Sequence, residues 1–313
     1  MNNPQPPFRT TVLIGVSGWL LLSLFHLPGS IYAQVYPEII LMAGALVVAP
    51  LGLRIINQEF GTYGRMTAFL LGLSLLIPTG YFAGVLAAPY VLFSLSVIRK
   101  CQYPLKNIAP LISSIMLTVG ALWAFAYRLG WSPFGYAPII VLLTAVHFHY
   151  AGFALSVIAQ TAGIGKLRAS QLTIALAAGV VWVAAGILVT HFGGPVWLEA
   201  GGVTALPAMG ILTGGLLLRS TIRPNPIVVK LLWLTAGSSL IAGMSLAFLY
   251  GWRHYCPISQ LSIPWMYAVH GTLNSIGFAV PALISANILR GSSGKTSVQN
   301  SARKNKSASN NHN

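Results

Sequence analysis

Two histidine-bearing motifs sit inside apolar runs of helix length: His147-Phe148-His149-Tyr150 and Tyr267-Ala268-Val269-His270-Gly271-Thr272-Leu273-Asn274. Imidazoles and an amide in such surroundings are equipped to relay protons, orient a polar group or ligate a metal. His270 and Asn274 are four apart and Tyr267 precedes His270 by three, so a helix aligns a phenol, an imidazole and an amide on one face. His147 and His149 are two apart, about 200° around a helix, and both face one metal only if the helix is broken there. At ~1.5 Å rise per residue, His147 lies ~17 Å from the outer end of its run, His270 ~10 Å and Asn274 ~16 Å, depths that allow a common site. The plainer use of such residues is a hydrogen bond across a helix interface, averaging ~0.6 kcal/mol. Polar groups at membrane depth nonetheless usually mark sites, which favours the functional reading.

The acids are Glu38, Glu59 and Glu199, with no Asp in the chain. Glu38 and Glu199 each fall within the first turn of an apolar run, at what should be its outer end. Each is a candidate general acid or base for an outward-facing cavity, or simply a carboxylate favoured by a helix N-terminus. Glu59 shares an inner loop with Arg54 and Arg65 and reads as a solvated charge. His26, His191 and His254 fall at outer boundaries and read as interfacial.

The elements that must hold these residues are membrane spans. Mean hydropathy is +0.74, 55% of the 313 residues are hydrophobic and only 7% are charged, outside the range of soluble domains. Ten apolar segments appear at 10–27, 36–53, 66–79, 81–98, 108–127, 136–160, 171–191, 197–218, 227–250 and 263–289. Most suit the ~30 Å hydrocarbon core as helices; the third and fourth, split at Pro78-Thr79-Gly80, are short. The expected fold is an all-α polytopic transmembrane bundle of about ten helices, occupying 1–290, followed by a disordered basic cytoplasmic tail at 291–313. The first segment reads as a retained signal anchor, although Ile31-Tyr32-Ala33 resembles a cleavage site.

Net charge is +15. With both termini cytoplasmic, every Lys and Arg falls on the inner side except Arg128 and Arg253, which explains the charge by the positive-inside rule and leaves no reason to invoke nucleic acid. The expected location is a bacterial inner or other energy-transducing membrane. Cys101 and Cys256 fall on opposite sides of the bilayer, which excludes a disulfide between them. The chain lacks the Asp pairs of membrane prenyltransferases, the deep histidine set of di-iron desaturases, and the Walker A, GxSxG, HExxH and dinucleotide signatures.

At His147-Phe-His-Tyr-Ala-Gly-Phe153 and His270-Gly-Thr-Leu-Asn-Ser-Ile-Gly-Phe278 the sequence resembles the bacterial YndJ-like membrane protein family. The resemblance covers the membrane region and stops before the tail. It implies a polytopic fold and brings no established reaction.

The residues support three functions. The first is an enzyme acting on a lipophilic small molecule, an isomerase or cyclase type using His147 or His149, His270, Asn274, Tyr267 and Glu38 or Glu199 in acid–base chemistry. The second is a transporter or channel, against which stands the absence of an acid at the bilayer midplane. The third is a redox or sensor protein binding haem or copper through its deep imidazoles. Neither a cofactor nor a metal is specified by the sequence; membrane lipids are the expected partners.

Overall fold

The computed structural model describes residues 8–26, 35–101 and 108–291. Of the expected tail at 291–313, Gly291 ends the last helix, and residues 292–313 lie outside the described residues, as do the cleavage-like Ile31–Ala33 and the inner-loop Lys106. Among the described residues the chain forms ten helices and no strand. In chain order these are α1 (Phe8–His26), α2 (Val35–Ile55), α3 (Gly61–Ser74), α4 (Tyr81–Cys101), α5 (Ile108–Leu129), α6 (Pro138–Ala159), α7 (Lys166–His191), α8 (Trp197–Ser220), α9 (Ile227–Gly251) and α10 (Ile263–Gly291). All but α3 are long and apolar enough to cross a membrane. The 14 residues of α3 reach only ~21 Å at 1.5 Å per residue, against the ~30 Å core.

Local sequence explains the helix ends. Ser262 caps α10 by accepting from the Trp265 amide at 3.4 Å, and Pro264 follows in the first turn, where its missing N–H costs nothing. A short 3₁₀ turn, Pro133–Gly135, with Phe134 at φ 57°, joins α5 to α6. Pro89 and Pro207 remain inside continuous helices, as membrane helices permit.

Helix burial divides the bundle into a centre and a perimeter. In α2, 83% of the most apolar window is buried, and in α6 67%, whereas α1 buries only 17%. Helices α2, α6 and α10 pack on one another at the centre; α1, α3, α4 and α5 wrap one side and α7, α8 and α9 the other. Each central helix carries one π segment: Gly44–Val48, Phe148–Ala154 and Leu273–Ala279. The wider turns are explicit in i→i−5 hydrogen bonds, from Ala49 N to Gly44 O, Leu155 N to Tyr150 O and Val280 N to Ser275 O. Single π turns inside α-helices recur at functional sites, and here three of them meet.

Polar side chains tie these helices where no water is available to compete. The Tyr150 hydroxyl donates to Ile40 O at 2.9 Å, linking α6 to α2. Asn287 Nδ2 donates to Leu51 O at 3.1 Å, and Tyr36 hydrogen-bonds Thr272, linking α10 to α2. Glycine permits the closest approach: a Cβ on Gly120 of α5 would lie 2.7 Å from His149 Nδ1, and one on Gly44 3.2 Å from His149 Cβ.

That fit generates a test. Gly120→Val, which overfills the site, should destabilise the purified protein by ~1–3 kcal/mol, read as a lowered midpoint of thermal unfolding in detergent. Gly18→Ala, where an added Cβ meets nothing within 4 Å, should leave the midpoint unchanged.

Candidate functional site

The HxH pair divides. His149 is fully buried, donates from Nδ1 to Ala145 O at 2.8 Å, and lies 3.3 Å by Nε2 from the Tyr90 hydroxyl, with the two rings stacked at 5.9 Å. It ties α6 to α4 and faces away from the other histidines, as a two-residue spacing requires even through the π segment. His147, on the opposite side of α6, is exposed and turns toward α10.

There His147 and His270 come together, their ring centroids 6.0 Å apart and their planes 25° from parallel. The tautomer of each follows from its partner. Nδ1 of His147 is 2.8 Å from Leu143 O, and Nδ1 of His270 is 2.8 Å from Gly243 O. A carbonyl only accepts, so each Nδ1 carries a proton, and in the neutral ring each Nε2 is left with a lone pair. Asn274 Nδ2 donates to His270 O at 3.0 Å and is nearly equidistant from His270 Nδ1 and Nε2, at 3.1 and 3.2 Å. An atom equidistant from both ring nitrogens lies along neither lone-pair direction, so the amide does not occupy Nε2. Its Oδ1 is buried with no hydrogen-bond partner.

These groups line a recess of about 110 Å³ between α6, α7, α8, α9 and α10. Its walls are otherwise mainly apolar, with Val183, Val203, Pro207, Met244 and Phe278 among them, and Tyr150 at its inner side. The volume suits one functional group and is well below the ~300–1,000 Å³ of pockets that enclose whole drug-sized ligands. The recess thus combines two imidazoles and an amide with an apolar wall. Among the described residues no cluster of three or more His, Cys, Asp or Glu is placed to hold a metal.

Residues 39–278 match the family described as YndJ-like protein. The chain belongs to this family. The matched stretch contains both histidine motifs and ends at Phe278, the last residue of the second. The chain is also 26% identical, over 236 residues, to the uncharacterized membrane protein YndJ of Bacillus subtilis (strain 168), an alignment covering 71% of this chain and 41% of that protein. The chain therefore spans about two fifths of the length of that YndJ relative. No solved structure matches. The protein is a multi-pass membrane protein of the YndJ-like family, of a type found in bacteria.

The remaining candidates lie elsewhere in the YndJ-like bundle. Tyr267, though aligned with His270 in sequence, is half-buried and does not line the recess. Glu38 is buried at the start of α2, where it accepts from the Tyr127 hydroxyl at 2.5 Å, meets His26 Nε2 at 2.5 Å and has Arg128 Nη1 3.6 Å away. Arg128 itself is 1% exposed and donates to Ile77 O at 2.5 Å. Glu199, also 1% exposed, pairs with Arg253 at 2.7 Å and has His254 Nε2 at 3.7 Å. Nearby, Tyr136 packs against His191, ring centroids 4.5 Å apart, and burial together with the Glu199 carboxylate pushes its phenol up from the ordinary range. Neither Glu lines the His147/His270 recess.

Sequence reasoning missed Tyr127 and His26 as partners of Glu38, and the Gly243 carbonyl that fixes His270. A signal for the ion pairs was present: the two acids expected at the outer ends are matched in number by the two outer arginines. The carbonyl had none.

Breaking the Glu38 pair strands a buried guanidinium. Glu38→Ala is expected to destabilise by ~3–5 kcal/mol. The double variant Glu38→Ala/Arg128→Met, which removes both charges, should recover more than half of that, measured by denaturation in detergent.

Proposed function

We propose that this protein is a membrane-embedded enzyme that moves protons on a lipophilic small molecule, with His147 and His270 as the acid–base pair and Asn274 as the orienting group. The observation carrying this reading is the facing pair of imidazoles beside the recess, each with Nδ1 held by a backbone carbonyl. Neutral imidazole is the side chain best matched to proton transfer near pH 7.

In the simplest reaction, one neutral Nε2 removes a proton from the substrate, and the imidazolium so formed returns it at a different atom, directly or by way of the facing imidazole. Proton and electron pair balance without an oxidant or reductant, giving an isomerisation or, with an internal nucleophile, a cyclisation. Neutral imidazoles offer acceptors, so the substrate end entering the recess should carry a hydroxyl or another donor. The rest of the substrate stays in the bilayer, since the recess holds only a single functional group. His149, Glu38 and Glu199 act as structural groups in this scheme: the first ties α6 to α4, and the two acids are consumed by ion pairs. Their engagement also weighs against an ion-coupled carrier, which needs an acid at mid-membrane.

The reaction leaves a trace that does not require the substrate to be known. Membranes containing the protein, incubated in deuterated water, should incorporate deuterium into one lipid-soluble species, detected by mass spectrometry. His270→Gln and His147→Gln should each reduce that incorporation by ~10²–10⁴-fold, while His149→Gln should change it only as far as it lowers the folded fraction. Equal incorporation in wild-type and His147→Gln/His270→Gln membranes overturns the reading.

The orientation proposed with it, both termini cytoplasmic, puts Cys256 outside. Cys256 is exposed and Cys101 buried, so a membrane-impermeant maleimide should label right-side-out vesicles at Cys256 and fail on Cys256→Ser. Labelling only after permeabilisation would reverse the orientation.

A further inference from the structure

A second cavity lies apart from the histidines. It is a groove of about 660 Å³ between α1, α2 and α3, within the volume range of sites that bury most of a ligand. Its length is apolar, formed by Ile14, Leu46, Pro50 and Phe69, with Gly18 opening the α1 wall: an added Cβ there meets nothing. At one end the lining changes character to Arg54, Arg65, Gln58 and Glu59. Arg290, at the end of α10, hydrogen-bonds Ile55 O and Asn57 beside this end, and lies near enough to Arg54 for the two cations to repel.

We infer that this groove is a binding site for one anionic phospholipid, its phosphate at Arg54 and Arg65 and an acyl chain along Ile14, Leu46 and Phe69. Two observations converge on a lipid. The polar end coincides with the cytoplasmic ends of α2 and α3 in the expected orientation, where headgroups lie and basic pockets between helices receive anionic lipids. And two guanidiniums, Arg54 and Arg65, line the mouth beside one carboxylate, Glu59, a charge that favours an anionic over a neutral headgroup. Arg65 hydrogen-bonds Thr62 Oγ1 at 3.2 Å, a surface contact that leaves further guanidinium donors for a phosphate.

The inference is independent of the proton-transfer reading and is tested separately. The full-length protein, delipidated in detergent, would be titrated with phosphatidylglycerol, with phosphatidylcholine and with inorganic phosphate, following bound lipid by native mass spectrometry. Phosphatidylglycerol should bind at least 10-fold more tightly than phosphatidylcholine. Arg54→Gln/Arg65→Gln should cut that preference to within twofold, and Arg65→Lys should retain most of it. Gly18→Phe, which fills the groove without changing charge, should weaken binding of both lipids at least fivefold. Circular dichroism checks that each variant folds, and Arg65→Gln alone, a change at a half-buried position, should reduce the preference severalfold if the double variant does not fold. Equal binding of the two lipids by the wild-type protein overturns the inference, as does a preference that survives the arginine variants. Displacement of the lipid by millimolar inorganic phosphate, with no effect of Gly18→Phe, also overturns it, reducing the site to a surface anion contact.

Discussion

Everything in this bundle depends on the fact that hydrocarbon offers a backbone or side-chain polar group no partner. The chain meets that constraint in an unusual place. Its three most central helices are the ones whose regular i→i−4 pattern is interrupted, each by a π segment, and the interruption in α6 packs against those in α2 and α10. Widened turns re-aim side chains, and the consequences are visible on both faces of α6. On one, His149 fits against Gly44 and Gly120 and reaches Tyr90; on the other, His147 meets His270. A regular helix with the same sequence would rotate one face relative to the other after the extra residue. The π segment therefore bears on the recess as much as on the packing.

The same constraint governs the charges. The two acids at the expected outer ends are buried, and each is matched by an arginine from another part of the chain, Arg128 for Glu38 and Arg253 for Glu199. Buried carboxylates tolerate that position only with such partners. The end of the bundle that carries these pairs thus holds each acid beside an arginine.

Much of the fold was legible in the sequence. The ten apolar segments correspond to the ten helices because length and hydropathy are properties of a continuous stretch of chain, and bilayer thickness converts them directly into spans. The shortness of the third was visible for the same reason. The resemblance carried by the His147 and His270 motifs led to the family to which the chain belongs. The π segments were not legible: nothing in composition distinguishes Leu273–Ala279 from an ordinary apolar turn. The alignment of Tyr267 with His270 and Asn274 was right as helical geometry but gave Tyr267 no access to the recess, because the neighbouring helices decide which part of a face is open.

The sequence alone thus determined that this is a multi-pass helical membrane protein, where its helices lie, and that His147 and His149 face apart. All three follow from interactions between residues near each other in the chain, or between the chain and the bilayer. Only the tertiary structure decided that His147 rather than His149 meets His270, that Gly243 fixes the ring, and that Glu38 and Glu199 are held in ion pairs outside the recess. These depend on contacts between residues tens to hundreds of positions apart, set by which helices become neighbours, and no property of a continuous stretch of chain fixes that choice.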